Sequence, residues 1–169
     1  MTAAALTVRP AAVDDATAMA EIYNEGIADR VATFETTPRT PEDVLAWFDG
    51  KHPAVVVVDA AGQVVGYAVT FAYADRCCYA GVAEFSVYVR RSHRGQGVGV
   101  VAMKALIAAA EDAGFWKLLS RVFVENRASL ALLRSVGFRE VGVHEKHGKL
   151  DGVWRDVVAV ERIIEANLG

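Results

Sequence analysis

The sequence predicts a mixed α/β fold, a central sheet with helices on both faces. Three observations predict it. Short β-branched and aromatic runs recur along the chain and alternate with longer runs of helical period. Three strand-like runs follow one another between residues 54 and 89, which makes an antiparallel ladder. A glycine turn and an apolar helix then lead into a further strand, and a strand–helix–strand unit adds a parallel neighbour. No linker, low-complexity tract or repeat interrupts the 169 residues, so one domain over 1–169 is expected, large enough to bury a core without staples.

Leu6-Thr7-Val8-Arg9 reads as the first strand, closed by Pro10. Asp14 or Asp15 can cap a helix through about Gly26, with Ala18, Ile22, Tyr23 and Ile27 near one face. A loop with Thr33-Phe34-Glu35-Thr36-Thr37-Pro38 follows. Thr40-Pro41-Glu42-Asp43 starts a second helix, capped by Thr40 with proline in the first turn, and Val44, Leu45, Trp47 and Phe48 form its apolar side. Residues 54–59 and 64–73 make a hairpin around Ala60-Ala61-Gly62-Gln63. The loop 74–81 enters a strand over Val82–Val89. An alanine-rich helix from Val98 to Ala113 ends at Gly114, a C-cap candidate. Trp116 to Val124 is strand-like, and Arg127 to Val136 is a short helix stopped by Gly137. Two last strands, about 140–145 and 154–162, flank Leu150-Asp151-Gly152.

Composition narrows the partners. Hydrophobic residues make up 53% and charged residues 23%, an ordinary globular balance, and a net charge of −3 argues against a nucleic-acid partner. No apolar run reaches the ~18–20 residues that span a bilayer, and no leader pattern stands at the start, so no membrane partner and a cytoplasmic location are expected. Cys77 and Cys78 are adjacent. On an extended strand they would point to opposite faces, where a mutual disulfide is strained, so two reduced, partly buried thiols are expected. No metal-ligand spacing accompanies them, and no metal is expected.

The chemistry concentrates in Arg90-Arg91-Ser92-His93-Arg94-Gly95-Gln96-Gly97-Val98-Gly99. A strand, a glycine-rich basic turn and a helix N-terminus present a row of N–H groups to a phosphate. The P-loop form GxxxxGK[ST] is absent. Gly97-Val98-Gly99-Val100-Val101-Ala102 fits a loose dinucleotide pattern, with Glu125 near the end of the next strand. That unit starts halfway along the chain, and residues 126–169 are too few to complete a doubly wound sheet. The remaining reading is Arg94-Gly95-Gln96-Gly97-Val98-Gly99 as [QR]xxGxG, whose alternating small residues let amides converge on a pyrophosphate.

Here the chain resembles the GNAT superfamily of N-acetyltransferases, which bind acetyl-CoA at this turn. A second signature is Asn126-Arg127-Ala128-Ser129 followed by Ser135-Val136-Gly137-Phe138; in that family the asparagine and the helix after it contact the pantetheine arm, and Gly-Phe closes the helix onto the next strand. The resemblance implies a mostly antiparallel seven-stranded sheet, splayed between the strand of Val82–Val89 and the next. It implies acetyl-CoA as co-substrate. The implied contacts are the backbone of Val87, Tyr88 and Val89, the turn Arg94, Gly95, Gln96, Gly97, Val98 and Gly99, and Asn126 with Ser129.

Over nearly its whole length the chain is similar to the phosphinothricin and arsinothricin N-acetyltransferases. The residues that carry this are Ile22-Tyr23-Asn24, Thr33-Phe34-Glu35-Thr36, Thr40-Pro41-Glu42, Arg76 with Tyr79, Glu84 to Val89, Lys146-His147-Gly148 and Trp154-Arg155-Asp156-Val157. That resemblance implies acetylation of the α-amine of a glutamate-like toxic amino acid, and a homodimer with the active site near its interface. Arg76 could bind a substrate oxyanion, with an exposed loop arginine as the alternative; Tyr79 could donate to the same anion or pack on the loop. Phe34 would wall the pocket or simply belong to the core. Lys146 and His147 could add positive charge.

Glu84 is the candidate base, on the same side of its strand as Ser86 and Tyr88 and opposite Phe85 and Val87. The competing reading is a strand glutamate paired with an arginine. Val87 N–H is the candidate donor to the oxyanion formed on attack. Relatives often carry a tyrosine or histidine four residues before the Gly-Phe to assist the leaving thiolate. Here that position is Leu133, which leaves water or another group such as Tyr88. Methionine sulfoximine or sulfone, another small amine, and a silent acetyl-CoA sensor are the alternative functions.

Overall fold

The structure is a computed structural model, and it describes residues 5–169. Its strands are β1 (Thr7–Pro10), β2 (Ala54–Val58), β3 (Val64–Ala72), β4 (Val82–Val89), β5 (Lys117–Phe123), β6 (Arg139–Leu150) and β7 (Val153–Ile163). Its helices are α1 (Ala16–Asp29), α2 (Pro41–Leu45), α3 (Val98–Asp112) and α4 (Arg127–Ser135). The strands form one sheet in the order β1-β2-β3-β4-β5-β7-β6, antiparallel throughout except between β4 and β5.

Alternation along each strand gives the sheet an apolar core on either face, and a smaller third cluster of Phe123, Leu150 and Val157 packs with Phe34. Val55 and Val57 of β2 pack with Ala102, Met103 and Leu106 of α3 on one face. Val56 packs with Met19 and Ile22 of α1 and Val44 of α2 on the other. The mixed α/β sheet with helices on both faces is therefore the observed architecture.

Several boundaries differ from expectation for local reasons. Helix α1 runs past Gly26 to Asp29, because Gly26 is where the Tyr88 ring packs against the helix rather than where the helix ends. Asp15 does not cap α1 with its side chain. Its carboxylate accepts from Arg9 Nη1 at 2.8 Å and Nη2 at 2.9 Å and from Ala12 N–H at 2.8 Å, tying β1 to the start of the helix. Thr40 does cap α2, accepting from Asp43 N–H at 3.2 Å, but the helix stops at Leu45, and Trp47 and Phe48 reach the same core from a turn. Strand β6 continues beyond Glu145: a bulge between His144 and Gly148 absorbs the polar run, with Lys146 at φ 48° and its N–H donating to Asp156 Oδ1 at 2.8 Å. Cys77 and Cys78 were expected to be partly buried and are instead free and exposed. They sit in a 3-10 turn, Cys77–Tyr79, where strand alternation does not apply.

One feature of the sheet positions the site. Strands β4 and β5 pair at only three positions, Val82 with Lys117, Ala83 with Leu118 and Glu84 with Leu119. Beyond Glu84 they diverge, while β4 continues to Val89 and β5 to Phe123. Arg90 N–H donates to Val65 C=O at 2.7 Å, which sets the phase of the β3–β4 ladder. Even-numbered residues of β4 exchange their bonds with β3, and the odd-numbered ones direct theirs toward β5. Past the divergence, both backbone groups of Val87 and the N–H of Val89 thus face an open gap, Val89 C=O accepts from Arg94 Nε at 3.4 Å, and the backbone of Tyr88 is engaged with β3. Tyr88 therefore does not offer the backbone contact expected of it.

Candidate active site

Three hollows follow the gap in sequence and share walls. The first, of about 570 Å³, lies beneath the glycine turn and is lined by Val87, Val89, Gly95, Gly97, Val98 and Asn126, among others. A neck of about 80 Å³ continues from it past Ser86, Ser120, Ser129 and Leu133. The third, of about 380 Å³, holds Glu84, Arg121, Phe34, Phe71, Phe123 and His147. Ala32, Ser86 and Tyr88 line the neck together with one or both of the larger hollows. A separate hollow of about 500 Å³ around Arg139 and Glu161 shares no wall with these, and Glu161 there is already paired with Arg139 and Lys117.

The turn is built to present amides. Gly95 and Gly97 have φ of 76° and 82°, conformations that L side chains avoid, and space around both is open. Gly97 also caps α3, so the helix N-terminus points at the same hollow. The arginines of the turn are held by acids on α1. Asp29 accepts from Arg91 Nη2 at 2.8 Å and Arg94 Nη1 at 2.6 Å, and Glu25 accepts from Arg91 N–H at 2.8 Å. The bond from Arg91, with Arg94 adding to it, holds the Asp29 carboxyl below the usual carboxylate range. Arg94 still lines the first hollow. Gln96 does not, and its amide turns back to Ser92 C=O at 3.4 Å.

Asn126 Oδ1 accepts from Ser129 N–H at 3.2 Å and so caps α4 while both residues face the first hollow and the neck. The side chains of Glu84, Ser86 and Tyr88 share one face of β4, as alternation requires. The pairing of Glu84 with Leu119 places Arg121, two residues on, over that same face. Arg121 Nη2 donates to Glu84 Oε1 at 2.9 Å, with the two side chains 46% and 31% exposed. The arginine partner weighed for Glu84 is thus present, and it lies inside the hollow.

Phe34 stacks edge-on against Phe123 at 4.8 Å and lines the third hollow. Its loop is fixed by Asn24, whose side chain accepts from Arg39 N–H at 2.8 Å and donates to Arg39 C=O at 2.9 Å. His147 lines the same hollow, with the His144 ring 4.8 Å away. Arg76, Tyr79 and Lys146 do not line it. Arg76 lies over the Tyr79 ring at 5.8 Å on the turn before β4, Tyr79 packs against Tyr73, and Lys146 sits exposed at the apex of the β6 bulge. Leu133 is core, 1% exposed. Tyr88 is packed between Tyr23 and Tyr67, and burial pushes its phenol up.

Residues 19–138 match the sequence profile described as the acetyltransferase (GNAT) family. The chain belongs to the GNAT family. This acetyltransferase is 33% identical to the L-methionine sulfoximine/L-methionine sulfone acetyltransferase of Pseudomonas paraeruginosa, over 92% of each chain. It is 31% identical to the phosphinothricin N-acetyltransferase of Streptomyces coelicolor, over 94% of this chain and 96% of that one. The crystal structure of a phosphinothricin acetyltransferase from Sinorhizobium meliloti in complex with acetyl-CoA superposes with a TM-score of 0.87 at 30% identity, covering 96% of this chain and 89% of that one.

The hollow of the GNAT chain also holds a residue absent from the candidates drawn from the sequence, Arg121. Arg121 stands in the apolar run Leu118-Leu119-Ser120-Arg121-Val122-Phe123, an isolated charge in a strand, which is the same signal that singled out Glu84. Among the described residues no group of three His, Cys, Asp or Glu side chains is placed to hold a metal ion, and no helix is long and apolar enough to cross a membrane.

Proposed function

We propose that this acyltransferase binds acetyl-CoA beneath the glycine turn and acetylates the α-amine of a small glutamate-like amino acid beside Glu84. The observation that carries the reading is the unbroken passage from the glycine turn, along the free amides of Val87 and Val89, to the Glu84–Arg121 pair. The residues suit the co-substrate. Gly95, Gly97 and the α3 N-terminus form a cradle for a diphosphate. The C=O of Val87 and the N–H of Val89 suit the amides of an extended arm, as an added strand would meet them. Acetyl-CoA supplies the acetyl group as a thioester.

The chain's own residues supply the rest. Glu84 takes the proton that an α-ammonium must lose before it can attack. Val87 N–H faces the position where charge gathers on the acyl oxygen. Tyr88 is packed between Tyr23 and Tyr67, where burial raises its phenol, and Leu133 has no proton to give. The hydroxyls of Ser86, Ser120 and Ser129 line the neck and suit a relay from water to the leaving thiolate.

The relatives that act on phosphinothricin support a tetrahedral anion in the side-chain position, with arsinothricin of the same shape. A second reading, methionine sulfoximine or sulfone, is favoured by the charge in the third hollow. With Arg76 and Lys146 outside, Arg121 is the one permanent cation among its lining residues. We read the chain as one acetyltransferase domain that works as a homodimer; the exposed Val141, Val143, Val153 and Trp154 near the outer strand β6 offer a surface for it. Two exposed free thiols suit a reducing, cytoplasmic compartment.

A thiol-release assay with acetyl-CoA and a panel of phosphinothricin, arsinothricin, methionine sulfone and methionine sulfoximine tests the reading. Steady release of coenzyme A with an amino acid is expected. Tight binding without turnover would make the chain a sensor, and no heat on titrating acetyl-CoA would remove the cofactor site altogether.

A further inference from the structure

We propose that Arg121 holds the substrate's α-carboxylate, and that the Glu84–Arg121 ion pair is a gate opened by a zwitterionic α-amino acid. This rests on the reading of the chain as an amino-acid acetyltransferase. The argument begins with the contact itself. Arg121 touches Glu84 through Nη2 alone, at 2.9 Å, with both side chains partly open to solvent. A single-point pair of this kind contributes little stability and is readily exchanged. A guanidinium offers five donors in a fork that matches a carboxylate at two points, so a bound carboxylate forms the better contact.

The geometry of the exchange selects the ligand. The ammonium and carboxylate of an α-amino acid share one carbon, and the charges that face them touch one another. Splitting the pair gives each half an opposite partner: the ammonium goes to Glu84, which must take its proton, and the carboxylate to Arg121. A group at the far end of the side chain lacks that shared carbon and matches the adjacent pair less closely. Arg121 also lines the neck, so a carboxylate held there keeps the α-nitrogen beside the passage from the first hollow. Of the other charged or titratable groups, His147 of β6 and Tyr23 of α1 line the same hollow without touching the pair, while Arg76 lies over Tyr79 and Lys146 on the bulge. The substrate side chain is then left to Phe34, Phe71 and Phe123, walls that suit an uncharged polar end such as a sulfone better than a second anion.

The test uses the full chain with acetyl-CoA and compares methionine sulfone with its decarboxylated amine. In the native enzyme kcat/KM is expected to favour the amino acid by about tenfold to a hundredfold, the value of a charge-assisted carboxylate contact. In Arg121→Leu that preference should collapse to within about threefold, mainly through KM for the amino acid, and Arg121→Lys should restore part of it. Acetyl-CoA binding by calorimetry should be unchanged in both variants. A preference retained in Arg121→Leu overturns the proposal while leaving the amino-acid acetyltransferase standing. Loss of acetyl-CoA binding in both variants makes Arg121 a structural residue and overturns it as well. Failure of the native enzyme to acetylate any amino acid overturns both readings together.

Discussion

Glu84→Gln separates a catalytic carboxylate from an ornamental ion pair, because the two roles differ in magnitude. The substitution keeps the size of the side chain and an oxygen that can still accept from Arg121, and it removes the charge and the basicity. If the contact with Arg121 at 2.9 Å were all that Glu84 provides, its loss would follow the scale of partly exposed pairs, about 0–1 kcal/mol, or at most about fivefold in any rate. A general base contributes about 10²–10⁴-fold, roughly 2.7–5.4 kcal/mol of barrier. Glu84 is 31% exposed and Arg121 46%, so neither is stranded by the change, and the melting temperature should move by a few degrees at most. The expected result is therefore a loss of about a hundredfold or more in kcat with an almost unchanged melting temperature. The deficit should shrink as pH rises and more substrate arrives as free amine. Thiol release followed from pH 6 to 10 checks it. A loss under tenfold with an unaltered pH profile would refute the assignment of Glu84 as base.

Two further predictions concern the frame around the site. The hydrogen bonds from Arg9 hold the Asp15 carboxyl below the usual carboxylate range, so unfolding raises its pKa. Its stabilisation is present above the unfolded value of about 3.9 and fades as pH falls through the lower folded value. Asp15→Asn should therefore cost about 1–3 kcal/mol in urea unfolding at pH 7 and progressively less below pH 4, and an equal cost at pH 7 and pH 3 would contradict this. In Gly99→Val the new Cβ would overlap Leu132 Cδ1, where α3 and α4 pack. Overpacking of that contact should destabilise the fold by about 1–3 kcal/mol and weaken acetyl-CoA binding, measured by thermal melting and calorimetry; a variant with native values for both would show that the helices yield.

The parts of the site made by backbone were legible in the sequence. Gly95 and Gly97 announce positive φ, and the [QR]xxGxG spacing with Asn126 three residues before Ser129 announces a helix N-terminus followed by a cap. The parts made by side chains from distant strands were less so. Arg76 entered through the resemblance, together with Tyr79, yet its place in a loop does not set direction, and the turn at 77–79 carries it away from the hollow. Arg121 is 37 residues from Glu84 in sequence, and only the parallel register of β4 with β5 puts them on one face. The β6 bulge was missed because Lys146-His147-Gly148-Lys149 is polar on both faces, as befits an outer strand, and so shows no alternation.

The divergence of β4 from β5 gives this sheet a pair of inward-facing borders in addition to its two outer ones. Recognition along them is performed by atoms that every residue except proline possesses. Replacing one side chain by another at Val87 or Val89 therefore leaves the attachment points in place, while Phe34 and Phe71, which wall the third hollow, remain free to vary. An enzyme arranged this way can exchange one amine for another through substitutions at the mouth without relearning how to hold its acyl donor.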